Sequence, residues 1–365
     1  MRSFISLYIA IFWVTLLPAQ GSKDKFEVIA YYSGNGENIS QYPIGKLTQI
    51  IFSFLHLKGD TLSFSSPEHK NALRRVAALK KTYPSLKVLV SLGGWGGCEP
   101  CSEVFSNPKS RIHFAQSIKS VMDEYNVDGI DLDWEYPTIP GHPGHPYSPA
   151  DKANFTDLIV QIRKAIGPKA ELSFAAGGFT QFLEESVDWN AIMPHINWVN
   201  LMTYDLVNGY STQTGHHTAL FSRPEQKEST DNCVQWLLKN NIPAEKLIIG
   251  AAFYARIWEN VNTTHWGLYQ SGKFKQGLDY KDFGQMEPDS GWAHQWDNTA
   301  MAPYAFHKTK NYFATYDNAM SLNEKVMYAR KYKLGGIMFW ELSCDLKQGG
   351  LLESLAESVE NTATQ

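Results

Sequence analysis

The sequence has few cysteines, little net charge and, beyond its N-terminus, no long apolar run. Four cysteines among 365 residues are too few for a disulfide scaffold. The formal net charge is −4 and no Lys/Arg block exceeds two or three residues, which gives no support for a nucleic-acid or anionic-membrane surface. No later stretch reaches the roughly 18 apolar residues of a membrane-spanning helix. We therefore expect a globular protein with a neutral partner, and neither nucleic acid nor membrane as a partner.

The first twenty residues, 1–20, predict a secretory signal peptide. Arg2 precedes an apolar run over 5–17, and Ala19 supplies the small residue expected at the cleavage site. Cleavage near Ala19 or Gln20 would export the mature protein to an extracellular or periplasmic location.

Export leads to an oxidising compartment, which bears on the cysteines. Cys98 and Cys101 flank Glu-Pro, so a tight disulfide is possible there. Metal binding is the alternative, but no second Cys/His pair has zinc spacing. We therefore expect no bound metal.

Short β-branched or aromatic runs alternate with helical patterns along the rest of the chain. The predicted strands cover 26–32, 49–57, 86–92, 129–135, 171–177, 196–204, 246–254 and 335–341. Helical patterns lie at 68–83, 108–125, 151–166, 182–193, 225–240, 321–333 and 350–359, with a poor first connection at 33–48. Alternation predicts parallel pairing through right-handed crossovers, and eight strands are the number of a (β/α)₈ TIM barrel. The competing open doubly wound sheet would need a Gly-rich phosphate loop, where 33–36 offers only a turn signal.

One connection of this predicted barrel, which spans 24–360, is far too long. About 65 residues rich in Trp, Tyr, Gly and Asp separate the end of strand seven from the next helix. We predict a small α+β insertion subdomain over 257–317. Because it leaves from the C-terminal end of a strand, it would form a wall beside the face where such barrels build active sites.

The stretch from Asp128 to Pro137, DGIDLDWEYP, places three carboxyl groups on one face of a strand. Side chains alternate along a strand, so Gly129, Asp131, Asp133 and Glu135 share a face. Burying such a row of like charges is costly unless protons are shared or partners are supplied. Glu135 comes last, at the C-terminal end. This pattern therefore predicts an acidic catalytic site at the mouth of the barrel.

DGIDLDWEYP resembles the signature of glycoside hydrolase family 18, the chitinase family. Four shorter motifs resemble others of that family in the expected order: Ser91-Leu-Gly-Gly94, Met202-Thr-Tyr-Asp205, Phe253-Tyr-Ala-Arg256 and Gly335-Gly-Ile-Met-Phe-Trp340. The resemblance covers about 25–345, and the insertion after strand seven is similar to the extra subdomain of the family's deep-cleft chitinases.

The resemblance implies roles for four catalytic residues. Glu135 would protonate the leaving oxygen, with its pKa raised by the negative charges behind it. Asp133 would orient the substrate's acetamide group, and Asp131 would hold a proton shared with Asp133. Tyr204 would hydrogen-bond the acetamide oxygen.

The resemblance also implies substrate contacts and structural residues near the site. Trp340 would be the floor under the reacting sugar, Trp95 a platform on the leaving-group side, and Asp205 and Arg256 polar contacts. Tyr32 and Met202 would line the same pocket. Ser91 is expected to hydrogen-bond Asp131, while Gly93, Gly94 and Gly129 make room for close packing. Many relatives carry a tryptophan shortly after the strand-six motif, where this sequence offers Tyr210.

The implied function is a secreted chitinase that cleaves β-1,4-linked N-acetylglucosamine polymers or oligomers with retention, through an oxazolinium intermediate. No cofactor is expected, and the protein is expected to be a monomer. Three alternatives stay open: a chitin-binding lectin without turnover, an endo-N-acetylglucosaminidase acting on glycoprotein cores, and a cation site built on the Asp/Asp/Glu row. The presence of Glu135 argues against the lectin.

Overall fold

The computed structural model describes residues 26–362. The signal peptide predicted over 1–20 lies outside these residues. Within 26–362, no helix has both the length and the apolar character needed to cross a membrane.

Eight parallel strands close into a barrel, which confirms the predicted (β/α)₈ fold. The barrel strands are β1 (Glu27–Tyr32), β2 (Gln49–Lys58), β4 (Lys87–Gly93), β5 (Gly129–Asp133), β6 (Glu171–Gly177), β7 (Trp198–Met202), β8 (Leu247–Ala252) and β14 (Gly336–Trp340). Each pairs with its neighbours in parallel, and β1 closes the barrel by pairing with both β14 and β2. A short strand, β3 (Thr61–Ser63), adds antiparallel to β2.

Helices cover the outside of the barrel, most of them near their predicted positions. They are α1 (Pro67–Ala78), α2 (Cys101–Ser106), α3 (Pro108–Tyr125), α4 (Asp151–Ile166), α5 (Trp189–Ile192), α6 (Thr230–Lys239), α7 (Ala319–Lys331) and α8 (Leu351–Thr362). The helix predicted over 182–193 is divided into a π-helical turn, Phe182–Ser186, and α5. The division occurs because the Asp188 side chain accepts from the backbone N–H of Ala191 and so begins a new helix.

The strands separate an inner from an outer hydrophobic core. The inner core consists of Ile29, Tyr31, Ile51, Leu89, Ala175, Met202, Ile248 and Met338. The larger outer core lies between the strands and the helices and holds the alternate residues of the same strands, such as Val28, Ala30 and Tyr32 on β1. Side-chain direction on each strand therefore decides whether a residue faces the barrel interior.

A second, antiparallel sheet follows β8 directly. Its strands are β9 (Tyr254–Glu259), β10 (Lys273–Asp279), β11 (Trp292–Asp297), β12 (Ala302–His307) and β13 (Tyr312–Thr315), in the order β10-β9-β13-β12-β11. The strand predicted over 246–254 is therefore two strands, since β8 ends at Ala252 and β9 begins at Tyr254 with new, antiparallel partners. The sheet has its own apolar core, which includes Trp258 and Phe306.

Candidate active site

The acidic row lies at the C-terminal mouth of the barrel. Asp131 and Asp133 are on β5 and are buried, while Glu135 follows in the loop just after the strand and is half-buried. Trp134, on the opposite side of the chain, packs its ring against Phe105 on α2 and Phe155 on α4. The apolar partners of Trp134 thus anchor this segment to the helices, and the carboxyl groups are directed to the interior.

Asp131 is held by four hydrogen-bond donors from four other barrel strands. The hydroxyls of Tyr31 and Ser91 donate to Oδ2 at 3.0 and 2.9 Å. The Ser173 hydroxyl and the Asn200 amide donate to Oδ1 at 2.7 and 3.1 Å. A carboxylate offers about four lone-pair positions, so these donors occupy all of them. Asp131 is therefore a fixed acceptor.

Asp133 has a different environment. Its Oδ1 has no hydrogen-bond partner among residues 26–362. Burial, and then the nearby charges of Glu135 and Asp131, raise the pKa of Asp133 well above its usual range. Burial also raises the pKa of Asp131, but the four hydrogen bonds oppose it. The acceptor positions of Asp131 are filled, whereas Oδ1 of Asp133 is without a hydrogen-bond partner among the described residues. The proton that the sequence analysis places between Asp131 and Asp133 stays a prediction.

Burial raises the pKa of Glu135 to about 7, against a hydrogen bond from Tyr136 that lowers it; the charge of Asp205 raises it further. The sequence attributed this rise to the charges behind Glu135 in its own row. In the structure burial is the larger cause, and the anion that contributes stands on the loop after β7. Glu135 can therefore hold a proton near neutral pH.

Tyr204 borders the same group of carboxyls. Its pKa is raised well above the usual range, first by burial and then by the charges of Asp133 and Glu135. Its hydroxyl lies 3.9 Å from the Met338 sulfur, and its ring meets that of Tyr254 edge-on with centroids 6.2 Å apart. Tyr204 is thus a neutral phenol beside the acidic row.

Asp205 and Arg256 form a bidentate ion pair next to Tyr204. Arg256 Nε donates to Asp205 Oδ1 at 2.8 Å and Nη2 donates to Oδ2 at 2.5 Å. His217 Nδ1 lies 3.5 Å from the same Oδ1. Burial raises the pKa of Asp205, but His217 and Arg256 outweigh it and hold that pKa well below its usual range. Asp205 is therefore a carboxylate anion at neutral and mildly acidic pH.

Trp340, at the end of β14, forms the aromatic floor of the mouth. Its ring stacks on Phe54 with centroids 5.4 Å apart and an angle of 14°, and it contacts Tyr31 at 5.8 Å. Trp340 packs against the inner core that contains Met202. Both residues thus belong to the cluster that contains Tyr31, one of the donors to Asp131.

Trp95 lies on the loop after β4, near the ring of Tyr136, the residue that follows Glu135. Its ring is 47% exposed and lies 6.5 Å from Tyr136, 5.4 Å from His142 and 6.2 Å from Tyr210, centroid to centroid. Tyr210 is 64% exposed. Two exposed aromatic rings from different loops thus meet beside the mouth. One of them, Tyr210, is the residue noted above where many relatives carry a tryptophan.

The small residues near the site permit close backbone contacts. A Cβ at Gly93, whose φ is +109°, would lie 2.2 Å from the carbonyl oxygen of Asp133, and that oxygen accepts from the N–H of Gly94 at 2.9 Å. A Cβ at Gly129 would lie 2.0 Å from the Glu171 carbonyl oxygen. These glycines therefore let the neighbouring strands and loop approach β5.

The Cys98–Cys101 disulfide is present in the loop that carries Trp95, with 5.2 Å between the Cα atoms.

The structure does not bring Tyr32 to this pocket, so that prediction is wrong. Tyr32 belongs to the outer core, and its hydroxyl accepts from the N–H of Gly36 at 2.8 Å. Tyr31, the next residue along β1, faces the interior instead and donates to Asp131. Adjacent tyrosines on a strand must face opposite sides, and the barrel register selects the first.

Sequence reasoning also missed residues that contact the row. Ser173 and Asn200 interrupt otherwise apolar strands, and a polar residue in such a strand is the signal that could have found them. Tyr254 is part of the Phe253-Tyr-Ala-Arg256 motif but was assigned no role there. His217 gave no comparable signal, because its proximity to Asp205 depends on a long loop and on the second sheet.

The barrel and its mouth define a class. A (β/α)₈ barrel with a carboxyl group of pKa about 7, beside buried carboxyls and over an aromatic floor, belongs with the barrel glycoside hydrolases. A family model described as Glycosyl hydrolases family 18 matches residues 27–345. The chain belongs to this family.

Relatives and solved structures agree with this assignment. The chain is 32% identical to "Chitinase A1" of Niallia circulans over 79% of this chain and 44% of the relative, and 28% identical to "Chitinase B" of Serratia marcescens over 87% and 77%. Among solved structures, a glycoside hydrolase family 18 N-acetylglucosaminidase from Paenibacillus barengoltzii is 34% identical, with a TM-score of 0.83 over 91% of this chain and 99% of that one. The Ostrinia furnacalis Group IV chitinase in complex with allosamidin is 25% identical, with a TM-score of 0.84 over 93% and 99%. The chain thus spans less than half the length of the Niallia relative.

Proposed function

We propose that the chain is a secreted chitinase, which hydrolyses β-1,4-linked N-acetylglucosamine polymers and oligomers with retention at the anomeric carbon. The observation that carries this proposal is the pairing of Glu135, with a pKa of about 7, with Asp133, whose Oδ1 is unpartnered among the described residues. The first can give a proton to a glycosidic oxygen, and the second can accept a hydrogen bond from a substrate N–H.

The first step breaks the glycosidic bond. Glu135 donates its proton to the leaving oxygen, and the carbonyl oxygen of the substrate's own acetamide group attacks the anomeric carbon from the opposite face. The products of this step are the free leaving sugar, a cyclic oxazolinium ion and the Glu135 carboxylate. Asp133 Oδ1 accepts the acetamide N–H and so orients the attacking oxygen.

The second step opens the oxazolinium ion. The Glu135 carboxylate takes a proton from a water molecule, whose oxygen attacks the anomeric carbon and displaces the acetamide oxygen. Two inversions give net retention, and Glu135 regains its proton. The fixed anion at Asp131 stabilises the positive charge of the intermediate from behind Asp133.

Other residues position the sugar. The neutral Tyr204 hydroxyl is suited to donate to the acetamide oxygen, since burial and the neighbouring carboxyls keep it protonated. Trp340, held flat by its stack on Phe54, offers an apolar face to the C–H groups of the reacting sugar. Asp205 and Arg256 supply polar contacts beside it, and Trp95 supplies a platform for the leaving sugar.

A second candidate is release of single N-acetylglucosamine units from chain ends. It is favoured by the similarity to the Paenibacillus N-acetylglucosaminidase, which this chain covers almost completely.

Product analysis on defined N-acetylglucosamine oligomers tests both candidates, with de-acetylated oligomers alongside. We expect the acetylated oligomers to be cleaved and the de-acetylated ones to be left intact, because only the former carry the attacking oxygen. Disaccharide products support the chitinase. Release of N-acetylglucosamine monomers, with substrates shortened by one sugar at a time, supports the second candidate. Equal cleavage of both oligomer types would refute acetamide participation.

Glu135→Gln tests the acid. The variant should lose roughly 10²- to 10⁴-fold in kcat, with oligomer binding retained because the other groove residues are unchanged. Glu184→Gln is the matched control, since Glu184 is exposed on a π-helical turn, and it should behave as the wild type. A Glu135→Gln variant with wild-type turnover would contradict the assignment.

A further inference from the structure

Two adjacent buried histidines, between β7 and α6, contact aspartates in different parts of the structure. His216 Nε2 lies 3.1 Å from Asp297 Oδ2, on the second sheet. His217 Nδ1 lies 3.5 Å from Asp205 Oδ1, beside the acidic row. Both imidazoles are fully buried. The pair therefore connects the second sheet to the mouth of the barrel.

The backbone of His217 is fixed on both sides. Its N–H donates to the Thr315 hydroxyl on β13 at 3.2 Å, and its carbonyl accepts from the N–H of Leu206 at 3.1 Å. Leu206 is the residue after Asp205. The ring packs against Tyr254, with centroids 5.2 Å apart. The imidazole is therefore held against Asp205 by the second sheet and by the chain next to Asp205 itself.

We propose that His217 is a positioning residue, which holds the Asp205 carboxylate against Arg256 and so sets how strongly the charge of Asp205 acts on Glu135. The inference rests on the proposed function and deepens it. Neither imidazole nitrogen has a hydrogen bond of standard geometry to another residue in 26–362. A buried polar ring with no other partner, aimed at one oxygen of an ion pair, is costly to keep unless it serves that ion pair.

Charged groups of both signs face the His217 ring: Asp205 and Asp317 favour its protonation, whereas Arg256 disfavours it. Asp205 reaches it from the loop after β7, Arg256 and Tyr254 from β9, and Asp317 from the segment before α7. Burial lowers the pKa of His217, although Asp205 opposes it, so the ring is neutral at neutral pH. A neutral imidazole with its proton on Nδ1 places the positive end of an N–H dipole 3.5 Å from Asp205 Oδ1 and compensates part of the charge of that carboxylate.

Loss of the His217 contact is expected to change the pKa of Glu135. If the donor at Nδ1 is lost, the charge of Asp205 is less compensated and the carboxylate is free to turn away from Arg256. The pKa of Glu135 should then rise, and the acid should be less well placed relative to the sugar.

Asn and Gln substitutions at position 217 distinguish the contributions of the two ring nitrogens. In His217→Asn the amide nitrogen takes the position of Nδ1, and in His217→Gln it takes the position of Nε2. Both substitutions keep a polar, buried side chain. We expect His217→Asn to keep the wild-type profile of kcat/KM against pH. His217→Gln should move the basic limb up by about half a pH unit and lower kcat roughly 10-fold, with KM little changed.

His216→Asn is the control for a merely structural role, because it removes the contact with Asp297 and not that with Asp205. It should lower the melting temperature and leave the pH profile unmoved. A His217→Gln profile that superimposes on the wild type, or an equal shift in His216→Asn, would overturn the inference. If the wild type fails to cleave acetylated oligomers at all, it is the proposed function that falls.

Discussion

The rate of oligomer cleavage should fall as the pH rises through 7. Glu135 acts only in its protonated form, and the structure gives its pKa as about 7. The profile of kcat/KM reports the ionisation of the free protein, so its basic limb should be centred near that pH. A glutamate with an ordinary pKa near 4.3 would be almost wholly ionised by pH 6. The environment of Glu135 therefore determines whether the protein works at neutral pH.

The size of the effect follows from one titrating group. The protonated fraction of Glu135 should be about a half at pH 7, about a tenth at pH 8 and about a hundredth at pH 9. Initial rates on an acetylated oligomer well below KM, measured at half-unit steps from pH 5 to 9, give this profile. The melting temperature across the same range separates ionisation from unfolding.

The substitution Asp205→Asn tests what raises the pKa of Glu135. It removes the charge that raises the pKa of Glu135 and leaves the Arg256 cation uncompensated, and both changes lower that pKa. The basic limb should then move to lower pH. Asp282→Asn, at an exposed position of the second sheet's loops, should leave the limb in place. A limb that stays fixed in Asp205→Asn, or a wild-type rate that is constant from pH 6 to 9, would refute this account of Glu135.

Two further substitutions test the surroundings of the site. Tyr31→Phe removes one of the four donors to Asp131 and should lower kcat/KM about 10-fold in steady-state kinetics. Tyr32→Phe, on the outer face of the same strand, should leave kcat/KM unchanged. Equal losses in the two variants would refute the assignment of the two faces. Lys325→Ala leaves Asp317 as an unpaired, fully buried anion and should lower the free energy of unfolding by about 3–5 kcal/mol in denaturant titrations. Lys119→Ala, which breaks an exposed pair with Asp123, should cost under about 1 kcal/mol, and a similar small loss at Lys325 would contradict the importance of the buried pair.

The register of the barrel explains why one tyrosine prediction failed. Alternation along β1 requires Tyr31 and Tyr32 to face opposite sides, but it does not say which side is the interior. That choice depends on how β1 pairs with both β14 and β2 when the barrel closes. The sequence therefore narrows the pocket residue to two neighbours, and the closed barrel selects Tyr31.

The sequence by itself determined the barrel class and the row of carboxyls, because both follow from periodicities of two and 3.6 residues and from motifs a few residues long. The tertiary structure alone decided the chemistry of that row. The donors to Asp131 come from four other strands, and Asn200 and Tyr31, which also contact each other, are 169 positions apart in the chain. Burial and the distant Asp205 set the pKa of Glu135. Solvation and charge act through space, so they become defined only when the strands have closed into the barrel and the second sheet has brought Arg256 and Tyr254 to its mouth.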